Sequence, residues 1–271
     1  MDKFIPAAQP FTPAHDMRAR DAAIATVLPL IGPNRMQAER KLAVMQPYFL
    51  PYLGYFQLLA KVDAFVLYDD VNFINRGWIN RNRINIGGNA HMLTVPLTQA
   101  SQNRLICDID MSTDTPWRNR ILKSIQQAYA RSPQFARVFP LIESIVQHPT
   151  QNLAAYLLHS LTLLRDHFGL STELIPTSRR YENADLKAQA RIIDICRREQ
   201  ADRYINAIGG IELYERSEFE RQGLKLSFLE PALAPYATAN TAFVPGLSIV
   251  DVLMHNDPAR VAEHLLAGAL S

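Results

Sequence analysis

The sequence predicts an α/β fold, a Rossmann-like and mostly parallel sheet with a helical segment in the middle of the chain. Three observations predict it. Short apolar runs of strand length recur at 42–45, 64–68, 172–175, 203–205 and 224–229; stretches with helical periodicity fall between them; and each run is followed by polar or turn-forming residues. Strands alternating with helices are the pattern of parallel β-α-β units.

Taken in order, residues 1–40 read as an extension preceding the fold. They hold Pro6, Pro10 and Pro13 and a single short amphipathic piece at 18–30. Residues 41–271 read as one α/β domain with a helical region at about 115–168. The run 42–45 is a buried strand that breaks at Gln46 and Pro47. A short helix over 54–60 puts Tyr55, Leu58 and Leu59 on one face, and 64–68 is a second strand ending at Asp69 and Asp70. Gly87, Gly88 and Asn89 mark a hairpin-like turn before a strand over 91–97. Thr115 as N-cap and Pro116 at the first helical position open a helix in which Ile121, Ile125 and Ala128 share a face. Helices over 135–146 and 153–168 follow, the latter stopped by Gly169. A helix is expected over 185–200, and two short amphipathic helices, 248–254 and 258–267, close the chain. Ser248 is the expected N-cap of the first of these.

Bulk properties exclude several classes of function. Of 271 residues, 48% are apolar and 20% charged, as in a globular protein with a substantial core. Lys and Arg exceed Asp and Glu by two, which is too little to drive nucleic-acid binding by charge. The two cysteines, Cys107 and Cys196, are far apart and lack companion ligands, so neither a disulfide framework nor a zinc site is expected; both thiols should be reduced and buried. The histidines are dispersed, and no metal is assigned. No stretch reaches the roughly 18 apolar residues of a membrane span, and the first residues lack a secretory signal, so a cytoplasmic location is expected.

In an open parallel sheet ligands bind beyond the carboxyl ends of the strands, which directs attention to Gln46, Asp69, Asp70 and Asn206. Asp69 and Asp70 read either as a general base and its neighbour or as a turn in which one carboxylate caps backbone. Adjacent strand residues face opposite ways, so at most one should enter the crevice. Tyr52, Leu53, Gly54 and Tyr55 have the spacing of the His-x-Gly-His signature of nucleotidylyl transferases, with phenols where the histidines would stand; packing is the other reading. The segment 76–83 combines Arg76, Trp78, Asn80, Arg81 and Asn82, a mixture suited to an anion beside a flat ring, or to a polar surface loop anchored by Trp78.

The residues Met45-Gln46-Pro47-Tyr48-Phe49-Leu50-Pro51-Tyr52-Leu53-Gly54-Tyr55, Tyr68-Asp69-Asp70, Arg76-Gly77-Trp78-Ile79-Asn80-Arg81-Asn82 and Val244-Pro245-Gly246-Leu247-Ser248 resemble the WbqC-like family. The likeness runs from about Leu42 to Asn256. It implies a protein of bacterial O-antigen and surface-polysaccharide clusters, with a glycine (aminoacyl) transferase role. Asn72, and the loop from Asn206 to Gly210, depart from the family pattern.

The resulting expectation is a transferase that acylates the amine of an activated sugar. Arg76 and Arg81 would hold an anionic donor, Tyr48 and Trp78 would pack on its rings with Tyr52 and Tyr55 nearby, and Asp69 or Asp70 would deprotonate the amine. Gln46, Asn80, Asn82 and Asn206 would orient the acceptor. The expected partners are an activated sugar or aminoacyl donor, with no sequence-specific nucleic acid and no membrane span; homo-oligomerisation is left open, and no cofactor is assigned. A nucleotidylyl transferase and a non-catalytic binding or scaffolding module are the alternatives.

Overall fold

Strand β1 (Lys41–Met45) and strand β2 (Ala64–Leu67) are parallel neighbours joined through helix α1 (Leu53–Ala60). This is the first β-α-β unit in a computed structural model that describes residues 39–114, 116–238 and 242–271. The extension expected over 1–40, except Glu39 and Arg40, lies outside the described residues, as do its amphipathic piece and Thr115, the expected cap.

Beyond β2 the chain makes a long excursion before returning to the sheet. It contains the hairpin β3 (Arg81–Ile86) and β4 (Asn89–Thr94), the short pair β5 (Leu97–Thr98) and β6 (Asp110–Met111), and helices α2 (Trp117–Tyr129), α3 (Phe135–Val146) and α4 (Leu153–His167). Strand β7 (Glu173–Ile175) then joins the far side of β2. Helix α5 (Ala188–Arg198) carries the chain back across to β8 (Arg203–Ala207), and α6 (Arg216–Arg221) leads to β9 (Lys225–Glu230). Helices α7 (Ile249–His255) and α8 (Pro258–Leu266) precede an antiparallel edge strand, β10 (Ala269–Leu270).

The six-stranded sheet runs β10-β9-β8-β1-β2-β7, five strands of it parallel. The expected mixed α/β class with a mostly parallel sheet is therefore present. The order reverses between β1 and β8. These two strands pair only where Lys41 and Leu42 meet Arg203 and Tyr204, so they part toward their carboxyl ends.

Side-chain alternation explains the layers. Ala43, Phe65 and Ile205 face one core with Phe56 and Leu59 of α1 and the helices of the excursion, whereas Leu42, Val66 and Tyr204 face another with Ile195 and Phe219 of α5 and α6. Both faces are covered, as a parallel sheet requires. Each fully buried Phe or Leu contributes roughly 1.5–3 kcal/mol.

Four local expectations change. Of the segment 76–83, residues 81–83 open strand β3 and are not a loop; Asn206 lies inside β8 and not beyond it; the strand expected over 91–97 is Asn89–Thr94; and Pro116 stands at the N-cap of α2, one position before its first helical residue. Gly87 and Gly88 both have positive φ, 61° and 87°, which the two-residue turn between β3 and β4 requires.

Candidate functional site

The segments that follow β1, open β3 and cap α7 are tied together by backbone carbonyls. Leu50 has the left-handed φ of 42°, uncommon for a branched residue. Its carbonyl accepts from both Asn82 Nδ2 and Ser248 Oγ at 2.8 Å. Asn82 Nδ2 also reaches Phe49 O at 3.1 Å, and Ser248 caps α7 through Val250 N as expected. Buried Asn82 therefore holds the turn after β1, besides lining the pocket beside it.

That pocket has a volume of about 330 Å³ and opens where β1 and β8 part, its floor formed by the last residue of each, Met45 and Ala207. Tyr48, Tyr52, Tyr55 and Trp78 wall it, with Leu233 and Gly246 from the segment after β9. Gly54 also lines it, and any side chain there would collide with the Tyr52 ring. Tyr55 is fixed by its phenol, which donates to Gln46 O at 3.1 Å, and its ring lies 5.4 Å from that of Tyr48. Burial raises the Tyr48, Tyr52 and Tyr55 phenols above their ordinary values, so they stay neutral donors at neutral pH. The volume and apolar lining suit a ring-bearing small molecule.

The carboxylates lie at the next strand end. Tyr68 N donates to Met45 O at 2.9 Å, which seats the start of the Asp69 turn beside the pocket floor. Strand β2 ends at Leu67 and the chain turns, so both aspartates meet one serine, contrary to the expectation from strict alternation. Asp69 Oδ1 accepts from Thr177 Oγ1 at 2.8 Å and Ser178 N at 3.0 Å. Its Oδ2 has no hydrogen-bond partner among the described residues. Burial raises the Asp69 pKa against the lowering pull of those two bonds.

Asp70 is occupied otherwise. Its Oδ1 takes the Ser178 hydroxyl, and its Oδ2 takes Arg191 Nη2 at 2.6 Å in a pair with both side chains almost fully buried. The Arg191 guanidinium carbon also lies 5.0 Å from the centre of the Tyr68 ring, and its Nε donates to Asn183 Oδ1 at 3.0 Å. Of the two carboxylates, Asp69 is the one with an oxygen that has no partner among the described residues.

The arginines divide in a way the sequence does not show. Arg81 turns back on its own loop, donating to Gly77 O at 3.0 Å and to Arg76 O, while Arg76 itself is exposed. Asn80 Nδ2 donates to Val95 O at 2.8 Å. Arg83, the last residue of the segment 76–83, stacks over Trp78 with its guanidinium carbon 5.2 Å from the ring centre. The half-buried Gln46 follows the pocket floor, and Asn206 lies on the opposite face of the sheet from Ala207, against Gly210. Leu233 and Gly246 carry no chemical signature, and only the return of the chain over β1 brings them to the pocket.

Cys107 and Cys196 are free thiols, but only Cys196 is buried; Cys107 is half-buried, its N–H bound to Asp69 O at 2.9 Å. Burial, with Asp69 adding to it, pushes the Cys107 thiol up to about 11, and burial takes Cys196 to about 12, so neither is a ready nucleophile. Among the described residues no group of three His, Cys, Asp or Glu is placed to hold a metal ion, and no helix is long and apolar enough to cross a membrane.

Comparison with known proteins gives a family and one distant relative. The WbqC-like protein family matches residues 46–263. A protein of Mycobacterium tuberculosis described as "Uncharacterized protein Rv1507c" is 26% identical over 218 residues, which is 80% of this chain and 94% of that one. No solved structure matches the chain.

Proposed function

The chain belongs to the WbqC-like protein family, and we propose on that premise that it is a transferase of surface-polysaccharide assembly which moves a glycyl or similar acyl group onto the amine of an amino sugar. The observation that carries this reading is Asp69, a buried carboxylate with one oxygen pinned by Thr177 and Ser178 and the other without a partner among the described residues, in the turn that leaves β2, the strand next to the one that supplies Met45 to the aromatic pocket. In the reaction the amine nitrogen attacks the carbonyl carbon of an activated acyl thioester or acyl adenylate. The C–N bond forms, the bond to the leaving group breaks, and Asp69 accepts the proton lost by nitrogen. Tyr48 and Trp78 seat the sugar or base ring, and Gln46 is the remaining polar group at the strand end. Arg191 serves the reaction only by holding Asp70 in an ion pair. A Rossmann-like description goes with the strand order, which over the six sheet strands counted in chain order is 3-2-1-4-5-6. A cytoplasmic site of action goes with the use of activated donors.

A second reading, a nucleotidylyl transferase, is favoured by Tyr52, Gly54 and Tyr55 all lining the pocket at the switch point. It is disfavoured because phenols with raised pKa supply no cation to a phosphoryl transition state. Purified protein given UDP-glucosamine with glycyl thioester or glycyl adenylate, followed by mass spectrometry, tests the first reading. Glycylated sugar from the native chain and none from Asp69→Asn is expected. Pyrophosphate release from nucleoside triphosphates in place of glycyl transfer would establish the second. Binding without turnover of either kind would leave a non-catalytic module.

A further inference from the structure

The pocket residues themselves carry no formal charge, yet an unpaired cation sits against one of its walls. Arg83 stacks over Trp78, and its Nε is buried with no hydrogen-bond partner. It forms no ion pair among the described residues. Other arginines of the fold are engaged: Arg81 by the carbonyls of its loop, Arg191 by Asp70, Arg203 by Glu39 and Arg179 by Asp108. A guanidinium stays charged at every physiological pH, and keeping it partly buried without an anion is unfavourable. The strand fixes it all the same. Asn82 before it is bound to the turn after β1, and its own carbonyl accepts from Ser248 N at 2.8 Å. The Trp78 ring covers a face of the guanidinium and its Nε is buried, which leaves the Nη groups for a planar or tetrahedral oxyanion.

We infer that the ligand of this pocket carries its anion with it as a glycosyl phosphate or diphosphate, whose oxygens Arg83 holds while the ring rests against Tyr48 and Trp78. The inference rests on the transferase reading and narrows its acceptor: the amine acylated is that of an activated monosaccharide, before polymerisation. Arg83 is a binding residue in this assignment, and Asp69 remains the proton acceptor.

Calorimetry with glucosamine, glucosamine 1-phosphate and UDP-glucosamine on the full chain tests it. Both phosphorylated probes should bind about tenfold or more tightly than glucosamine, as charge-assisted hydrogen bonds to a guanidinium allow. That advantage should vanish in Arg83→Gln, shrink in Arg83→Lys, and fall with added salt in the native chain. UDP-glucosamine binding tighter than the 1-phosphate would identify a nucleoside diphosphate as the carrier. Equal affinity would identify the phosphate as sufficient and admit a lipid-linked carrier. An advantage that survives in Arg83→Gln, or equal binding of all three probes, overturns the inference and leaves the pocket reading intact. Failure of all three to bind the native chain overturns the pocket reading itself. Should Arg83→Gln fail to fold, the Lys variant and the salt series decide the matter.

Discussion

At the scale of single residues the site is governed by which charges have partners. Asp69 and Asp70 are neighbours in sequence with different environments: Asp70 is neutralised by Arg191, whereas Asp69 has hydroxyl and amide donors and no cation paired with it. Burial raises the Asp69 pKa, so the acid limb of the pH–rate profile should lie above the ordinary carboxylate value of about 4. Activity rises with pH through that limb because the base must be ionised, and Asp69→Asn should abolish the limb along with the rate. Stability runs the other way. A raised acid pKa means the folded state binds the proton more tightly, so Asp69 contributes stability below the ordinary value and loses it as pH rises through the folded one. Asp69→Asn keeps an acceptor for Ser178 N and is therefore expected to unfold no more easily than the native chain at pH 7, measured in urea. Arg191→Met should instead cost roughly 3–5 kcal/mol by stranding Asp70, with part regained in the double variant Asp70→Asn, Arg191→Met. A loss below about 1 kcal/mol would mean that the pair behaves as a solvated surface bridge.

At the scale of elements, legibility followed how local the cause was. The strands β1, β2, β8 and β9 show in the sequence because burial on both faces makes each a short continuous apolar run, and the helices α3 and α4 because burial of one face imposes a period of 3.6. Strand β3 does not show. Its Arg81, Asn82, Arg83 and Asn85 have poor strand propensity, and its place is set by pairing with β4 and by the amide of Asn82 reaching back to Leu50. Helix α1 depends on a close approach at Gly54, where a Cβ would stand 2.5 Å from the Tyr52 ring and 2.8 Å from Pro231 Cβ. Gly54→Ala is expected to displace Tyr52 into the pocket, costing about 1–3 kcal/mol and abolishing ligand binding. Thermal melting and calorimetry on the same sample check both effects; unaltered binding would show that Tyr52 has another position open to it.

At the scale of the whole molecule, the prolines and weak periodicity of residues 1–35 predict that a chain beginning at Met36 folds and melts within a few degrees of the full one. Such a chain keeps Glu39, which pairs with Arg203 at 3.0 Å and Lys225 at 2.9 Å beside the first strand. Loss of a cooperative transition on scanning calorimetry would assign those early residues to the fold. The sequence by itself determined the α/β class, the mostly parallel sheet and the polar character of the strand ends, because each follows from the pattern of a few consecutive residues. It also determined the family likeness, carried by contiguous motifs. Tertiary structure decided the rest. Neighbouring Asp69 and Asp70 were divided by Thr177, Ser178 and Arg191, which lie more than a hundred positions away. Arg83, and not Arg81, was left with its charge unpaired because Arg81 found carbonyls within its own loop. Leu233 and Gly246 reached the pocket only through the return of the chain over β1. Charge pairing and pocket lining depend on which groups meet across the fold, and no local spacing encodes that.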